Sequence, residues 1–110
     1  LVCNLLIETA EAVENIAEIC AVPGIDLITP AQFDLSTALG ISGQFEHPDF
    51  IAAVSKIEAA ASAAAIPLAG VGLSHAQAKA AFAKGYRVIA GFDILWLKAK
   101  AAEAQSWTQD

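Results

Sequence analysis

No lysine or arginine occurs before Lys56, and the chain has no methionine. All six basic residues (Lys56, Lys79, Lys84, Arg87, Lys98, Lys100) lie past position 55, whereas eight of the twelve acids lie before it. With a net charge of −6 and no basic cluster, nucleic acid is not an expected partner, because phosphate recognition needs basic patches. Cysteine is scarce, and Cys3 and Cys20 have neither metal-site nor redox spacing. Two reduced, buried thiols in a cytoplasmic protein are expected. No apolar run approaches the ~18 residues of a membrane span. A basic N-terminal region and a small-residue cleavage site are both missing, so no signal peptide is read. The chain opens at Leu1 inside an apolar run, so it is expected to start partway through a larger protein.

What is abundant is apolar. Hydrophobic residues make up 56% of the 110 residues, which predicts one heavily buried domain over 1–110. The pattern repeats four times as strand then helix. Residues 1–7 read as a strand covered on both faces. Thr9 caps a following helix whose wet face is Glu11, Glu14, Asn15 and Glu18 and whose apolar side is Val13, Ile16, Ile19 and Cys20. Pro23-Gly24 ends it. Ile25–Thr29 is a second strand that stops at Pro30. A long connection runs to His47, with a short helical turn over Leu35–Leu39, and Pro48 opens a helix with the stripe Phe50, Val54, Ile57, Ala61 and Ala64.

Ile66–Gly70 is the third strand. Its helix starts in a capping box of Ser74 and Gln77 and stops at Gly85. Arg87–Ala90 is the fourth strand, and the last helix runs to about Ser106. Its opening, Ile94-Leu95-Trp96-Leu97, is apolar all round and is expected to be buried on more than one side. Four strand–helix units mean α/β with parallel strands, either a small doubly wound sheet or part of a (β/α)₈ barrel.

In both architectures chemistry gathers at the carboxyl ends of strands. Those ends carry Glu8, Gln32 and Asp34, Gly70–Ser74, and Asp93. Glu8 and Asp34 have no basic residue near them in sequence. They can chelate a hard divalent cation, or simply cap the helices that follow. Gly70-Val71-Gly72-Leu73-Ser74 reads either as an anion-binding turn or as a plain tight turn, with His75 where a dinucleotide fingerprint needs glycine. His47 reads as a helix cap or surface residue, with catalysis or metal binding as the alternative, and Trp96 and Trp107 read as packing or interface residues. No nucleophile–base pair stands out, so no catalytic residue is assigned.

The segments LLIETAEAVEN (5–15) and QFDLSTALGISGQFEHP (32–48), with Gly85-Tyr86-Arg87 and Gly91-Phe92-Asp93 later, resemble the HpcH/HpaI aldolase family. The resemblance implies the C-terminal half of a (β/α)₈ TIM barrel. It further implies Mg²⁺ or Mn²⁺ held by Glu8 and Asp34, and a pyruvate carboxylate held by the backbone N–H groups of Phe33 and Asp34. The implied reaction is reversible aldol cleavage of a 4-hydroxy-2-oxo acid to pyruvate and an aldehyde, with the metal acting as Lewis acid. Members of the family commonly form homo-oligomers by exchanging the last helix.

Three departures accompany the resemblance. The family's substrate-contacting arginine and histidine belong to earlier strands. Ala31 stands where relatives usually carry glycine. The stretch from Arg87 to Asp93 is about one residue short. The 110-residue chain alone is therefore expected to be inactive. The alternative to an enzyme seen through one half is a non-catalytic half-barrel serving assembly or weak metal binding, and a phosphate-binding module built on Gly70–Ser74 is a third reading.

Overall fold

A computed structural model describes residues 1–108. Four strands, β1 (Asn4–Ile7), β2 (Leu27–Pro30), β3 (Leu68–Val71) and β4 (Tyr86–Ala90), form one parallel sheet in the order β1-β2-β3-β4. Each crossover returns the chain to the next neighbouring strand, with no reversal of direction. A doubly wound sheet needs such a reversal, so the order is that of a barrel, and four units make half of one. The helices between are α1 (Ala10–Glu14), α2 (Ile16–Cys20), α3 (Gln32–Ala38), α4 (Pro48–Ala63), α5 (His75–Ala83) and α6 (Asp93–Ser106). Among the described residues no helix is long and apolar enough to cross a membrane.

Side chains alternate across the strands. Ile7, Ile28 and Leu68 join Val13, Ile16, Leu35, Phe50, Ile57 and Ala61 in one buried cluster under the helices. Each such side chain contributes about 1.5–3 kcal/mol when fully buried. The opposite face carries Asn4, Leu6 and Thr29, and the Thr29 hydroxyl donates to Asn4 Oδ1 at 2.9 Å.

Several expectations change in detail. The first helix breaks at Asn15 (φ −92°, ψ 12°), giving α1 and α2, because asparagine readily leaves helical geometry. Val13, Ile16 and Cys20 still point to the core on both sides of the break. Cys20 is buried as expected, but Cys3, just before the edge strand, is exposed. Pro30 ends β2 from within, paired with Ile7 on β1. Proline is tolerated there because β2 meets β3 through the single pair Ile28–Leu68. In α4 the buried stripe is Phe50, Ala53, Ile57 and Ala61, with Ala64 exposed at the C-cap.

The fourth strand holds a bulge. Leu68 pairs with Tyr86 and Ala69 with Val88, so Arg87 is an extra residue opposite no partner. The bulge adds a residue to β4 and does not account for the short Arg87–Asp93 stretch. Helix α6 has no buried residue, and Ile94 and Leu97 are 68% and 70% exposed. Burial on several sides is therefore not supplied by this chain. The Trp96 ring instead lies over Gly91, where a Cβ would come within 2.0 Å of the ring and displace it.

Candidate functional site

The site is built from the ends of β1 and β2. The ladder runs to its last pair, Ile7 with Pro30, and continues one bond further where the Ala31 N–H donates to the Ile7 carbonyl at 3.0 Å. Glu8 follows Ile7 directly, and Asp34 lies in the first turn of α3, which starts just after Ala31. Both carboxylates are thus carried by adjacent strand ends on one rim, and both are exposed. Among the described residues neither forms an ion pair or hydrogen bond.

The capping alternative is settled by the hydrogen bonds. Thr9 alone caps α1, accepting from the Ala12 N–H at 3.1 Å, and Glu8 takes no part. Helix α3 begins at Gln32, three residues earlier than the expected turn, and its N-cap Ala31 supplies no side-chain acceptor. Asp34 is therefore not a cap, and the first-turn N–H groups of Gln32, Phe33 and Asp34 lack helical partners. Ala31 sits at φ −81°, ψ 86°, a conformation open to any residue, so alanine in place of glycine brings no backbone strain.

Sequence reasoning missed Ser36. Its side chain is fully buried, donating to the Phe33 carbonyl at 2.8 Å and accepting from the Gly43 N–H at 3.0 Å. Thr37 Oγ1 donates to the same carbonyl at 3.0 Å and is 2.9 Å from the Ser42 hydroxyl. Since the Thr37 proton goes to Phe33, Ser42 must be the donor in that second bond. The long β2–α4 connection is thereby fastened to α3. The signal in sequence was a hydroxyl beside Leu35 in a stripe that is otherwise core.

Phe33 packs edge-on against Phe45 (centroids 5.1 Å apart) and Phe92 (6.1 Å), an aromatic wall that joins the loops after β2 and β4. His47 caps α4 as expected, its Nδ1 accepting from the Asp49 N–H at 3.2 Å.

Three N–H groups of the glycine turn after β3 are taken up within the protein. Gly72 N–H donates to the Ala90 carbonyl, Leu73 N–H to Gln77 Oε1, and Gln77 N–H to Ser74 Oγ. Its glycines are there for packing: a Cβ on Gly70 would meet the Tyr86 ring at 2.9 Å, and one on Gly72 would meet Ile89 at 2.8 Å.

Two cavities of about 390 Å³ are lined by neither Glu8 nor Asp34, although the one lined by Tyr86 also takes in Gln32 and Phe45 from the segment after β2. One is under Trp96 beside the start of α5, and the other is between α4 and α5. The second is lined by Glu58, Lys84 and Tyr86, which already bond to one another. Among the described residues no group of three or more His, Cys, Asp or Glu side chains is arranged to hold a metal. Two carboxylates, Glu8 and Asp34, follow the adjacent ends of β1 and β2.

A family model described as HpcH/HpaI aldolase/citrate lyase matches residues 2–98. Over 92 residues the chain is 34% identical to a hydroxypyruvate/pyruvate aldolase of Paraburkholderia phytofirmans, covering 83% of this chain and 35% of that protein. It is 35% identical over 102 residues to a 2-dehydro-3,6-dideoxy-6-sulfogluconate aldolase of Pseudomonas putida, covering 92% and 40%. Among solved structures, an HpcH/HpaI aldolase/citrate lyase family protein of Burkholderia cenocepacia superposes with a TM-score of 0.88 at 26% identity, over 100% of this chain and 43% of that one. An HpcH/HpaI aldolase of Desulfitobacterium hafniense gives 0.87 at 28% identity, over 99% and 43%. The chain spans less than half the length of each of these proteins.

Proposed function

Because the chain belongs to the HpcH/HpaI aldolase/citrate lyase family, we propose that it supplies the metal- and pyruvate-holding rim of an aldolase that reversibly cleaves a 4-hydroxy-2-oxo acid to pyruvate and an aldehyde. The observation that carries this reading is the Ile7–Pro30 register, extended by the Ala31–Ile7 bond, which brings the strand ends bearing Glu8 and Asp34 side by side.

The donor set suits Mg²⁺ or Mn²⁺. Such ions take one or two protein carboxylates and complete their shell with water and substrate oxygens. Glu8 and Asp34 are two carboxylates with every lone pair free of Lys and Arg among the described residues. When bound, the ion supplies Lewis-acid polarisation of the 2-oxo acid. The chain's own residues do the rest of the binding. The Phe33 and Asp34 N–H groups donate to the pyruvate carboxylate, and the aromatic wall of Phe33, Phe45 and Phe92 shields one side of the rim.

No acid–base residue for the proton transfer is assigned to this chain, which is why it is expected to bind without turning over. A second reading, a half-barrel serving assembly between copies, draws on the uncovered face that carries Leu6 and on the exposed start of α6. Calorimetry with Mn²⁺ tests the first reading. Glu8→Gln and Asp34→Asn should each remove the binding seen for the unaltered chain, and binding unchanged in both would remove the site.

A further inference from the structure

The DLST run places two hydroxyls directly behind the candidate ligand. The Phe33 carbonyl, the acceptor shared by Ser36 and Thr37, belongs to the peptide unit that ends at the Asp34 nitrogen. A peptide unit is planar, so holding its carbonyl from two directions fixes the plane and with it the Cα from which the Asp34 carboxylate projects. Serine and threonine often bond back to a carbonyl one turn earlier, and by itself that decides nothing.

Two features set this pair apart. Both hydroxyls converge on one carbonyl, and each uses a lone pair to hold the following loop, Ser36 through Gly43 and Thr37 through Ser42. Ser36 is fully buried, so its half of the clamp has no competing water, whereas Thr37 is exposed. Among the described residues Asp34 itself has no side-chain partner that could aim it.

We infer that Ser36 and Thr37 are positioning residues: their hydroxyls clamp the Phe33–Asp34 peptide so that the Asp34 carboxylate faces Glu8 across the rim and the pair can share a divalent cation. The inference rests on the metal reading above and goes beyond it by saying what aims one of the two ligands.

Mn²⁺ titration of the full chain, followed by calorimetry and paired with urea unfolding of each variant, provides the test. Thr37→Val keeps the shape of an exposed side chain and removes only the hydroxyl. It should weaken Mn²⁺ binding roughly tenfold, the loss of one or two oriented hydrogen bonds, with little change in the unfolding midpoint. Thr37→Ser restores the hydroxyl and should restore affinity. Ser36→Ala should weaken binding at least as much, together with a lower midpoint from the unpaired Gly43 N–H.

Ser42→Ala cuts the loop tie while leaving the Phe33 carbonyl clamped, and should leave Mn²⁺ affinity within about twofold. Mn²⁺ affinity unchanged in Thr37→Val and Ser36→Ala, beside loss in Asp34→Asn, would overturn the positioning role while leaving the metal site standing. Affinity lost equally in Ser42→Ala would make the effect one of loop stability and overturn it too. An unaltered chain that takes up no Mn²⁺ removes the metal reading and this inference with it.

Discussion

Leu6 and Ile7 are adjacent in one strand and nearly equal in size, yet Leu6 is 56% exposed and Ile7 2%. The same division runs across the sheet. Ile28 is fully buried beneath the helices, whereas Val88 is 43% exposed on the face opposite them. One face is packed by α1 to α5, and the other is the face that a closed barrel fills with layers of branched side chains. The difference teaches that the high apolar content serves two packing demands. The chain meets the helix-side demand with its own residues. Among the described residues nothing covers Leu6 and Val88 on the inner face, or Ile94, Trp96 and Leu97 on α6.

The two faces can be set against each other by truncation. Ile28→Ala removes a fully buried side chain and should lower unfolding stability by about 2–5 kcal/mol, the transfer loss plus the cavity left behind. Leu6→Ala, two strand positions from Asn4 on the open face, should stay within about 0.5 kcal/mol in dilute solution. Urea titrations of both, at a concentration where light scattering shows a monomer, give the comparison. A large cost at Leu6 under those conditions would mean that the open face is packed by this chain after all.

How far the sequence could be read follows the same line. Local features were legible where the residues that decide them are close together: Thr9, His47 and Ser74 as caps, Gly85 as a stop, and the short apolar strands, although the first was expected to be covered on both faces and is open on the one that carries Leu6. Pattern alone left the barrel and the doubly wound sheet open, because strand order is a long-range property. The direct resemblance of two acidic segments favoured the barrel, and the unreversed order β1-β2-β3-β4 shows it.

The kink at Asn15 and the early start of α3 were hidden for a related reason. Amphipathic spacing survives a change of axis, and a helix begun at Ala31 has no capping side chain to announce it. Ser36 was passed over because a hydroxyl buried beside Leu35 looks like a helix residue until the loop that bonds to it is in place.

Tyr86 gives a sharper test within the covered layer, since it is the buried residue of β4. Its phenol donates to Glu58 Oε1 at 2.8 Å, and Lys84 Nζ stands 3.4 Å from the same oxygen. Burial, and then the hydrogen bond and charge of Glu58, hold the phenol well above its usual value of 10.0. The native state therefore keeps this proton where the unfolded chain gives it up. The resulting stability is complete below pH 10 and is lost progressively as pH rises above it. Tyr86→Phe should cost about 1–2 kcal/mol at neutral pH, the loss of a bond to a charged acceptor. It should also flatten the decline in stability between neutral and strongly alkaline pH, because phenylalanine has no proton to release. Unfolding midpoints of the two proteins across that range measure both effects, and parallel curves would show that the Tyr86–Glu58 bond is not formed in solution.

The smallest expected effect concerns two helix ends that the covered layer handles differently. After α4 the chain turns at Ala65 with φ +55°, and after α5 it turns at Gly85 with φ +96°. The α4 turn is a complete Schellman motif, with Ile66 N–H donating to the Ala61 carbonyl at 2.9 Å and Ala65 N–H to Ser62 at 3.1 Å. An alanine held in the left-handed region is strained by its Cβ, whereas glycine is not. Ala65→Gly should therefore raise stability by about 0.5–1 kcal/mol even after the added freedom of the unfolded chain is counted. Gly85→Ala should lower it by about 1 kcal/mol; a Cβ there meets no atom within 4 Å, so the cost is conformational alone. Urea midpoints moving in opposite directions would show that both turns hold their left-handed residue in solution, and a fall for Ala65→Gly would show that the α4 turn relaxes to another conformation.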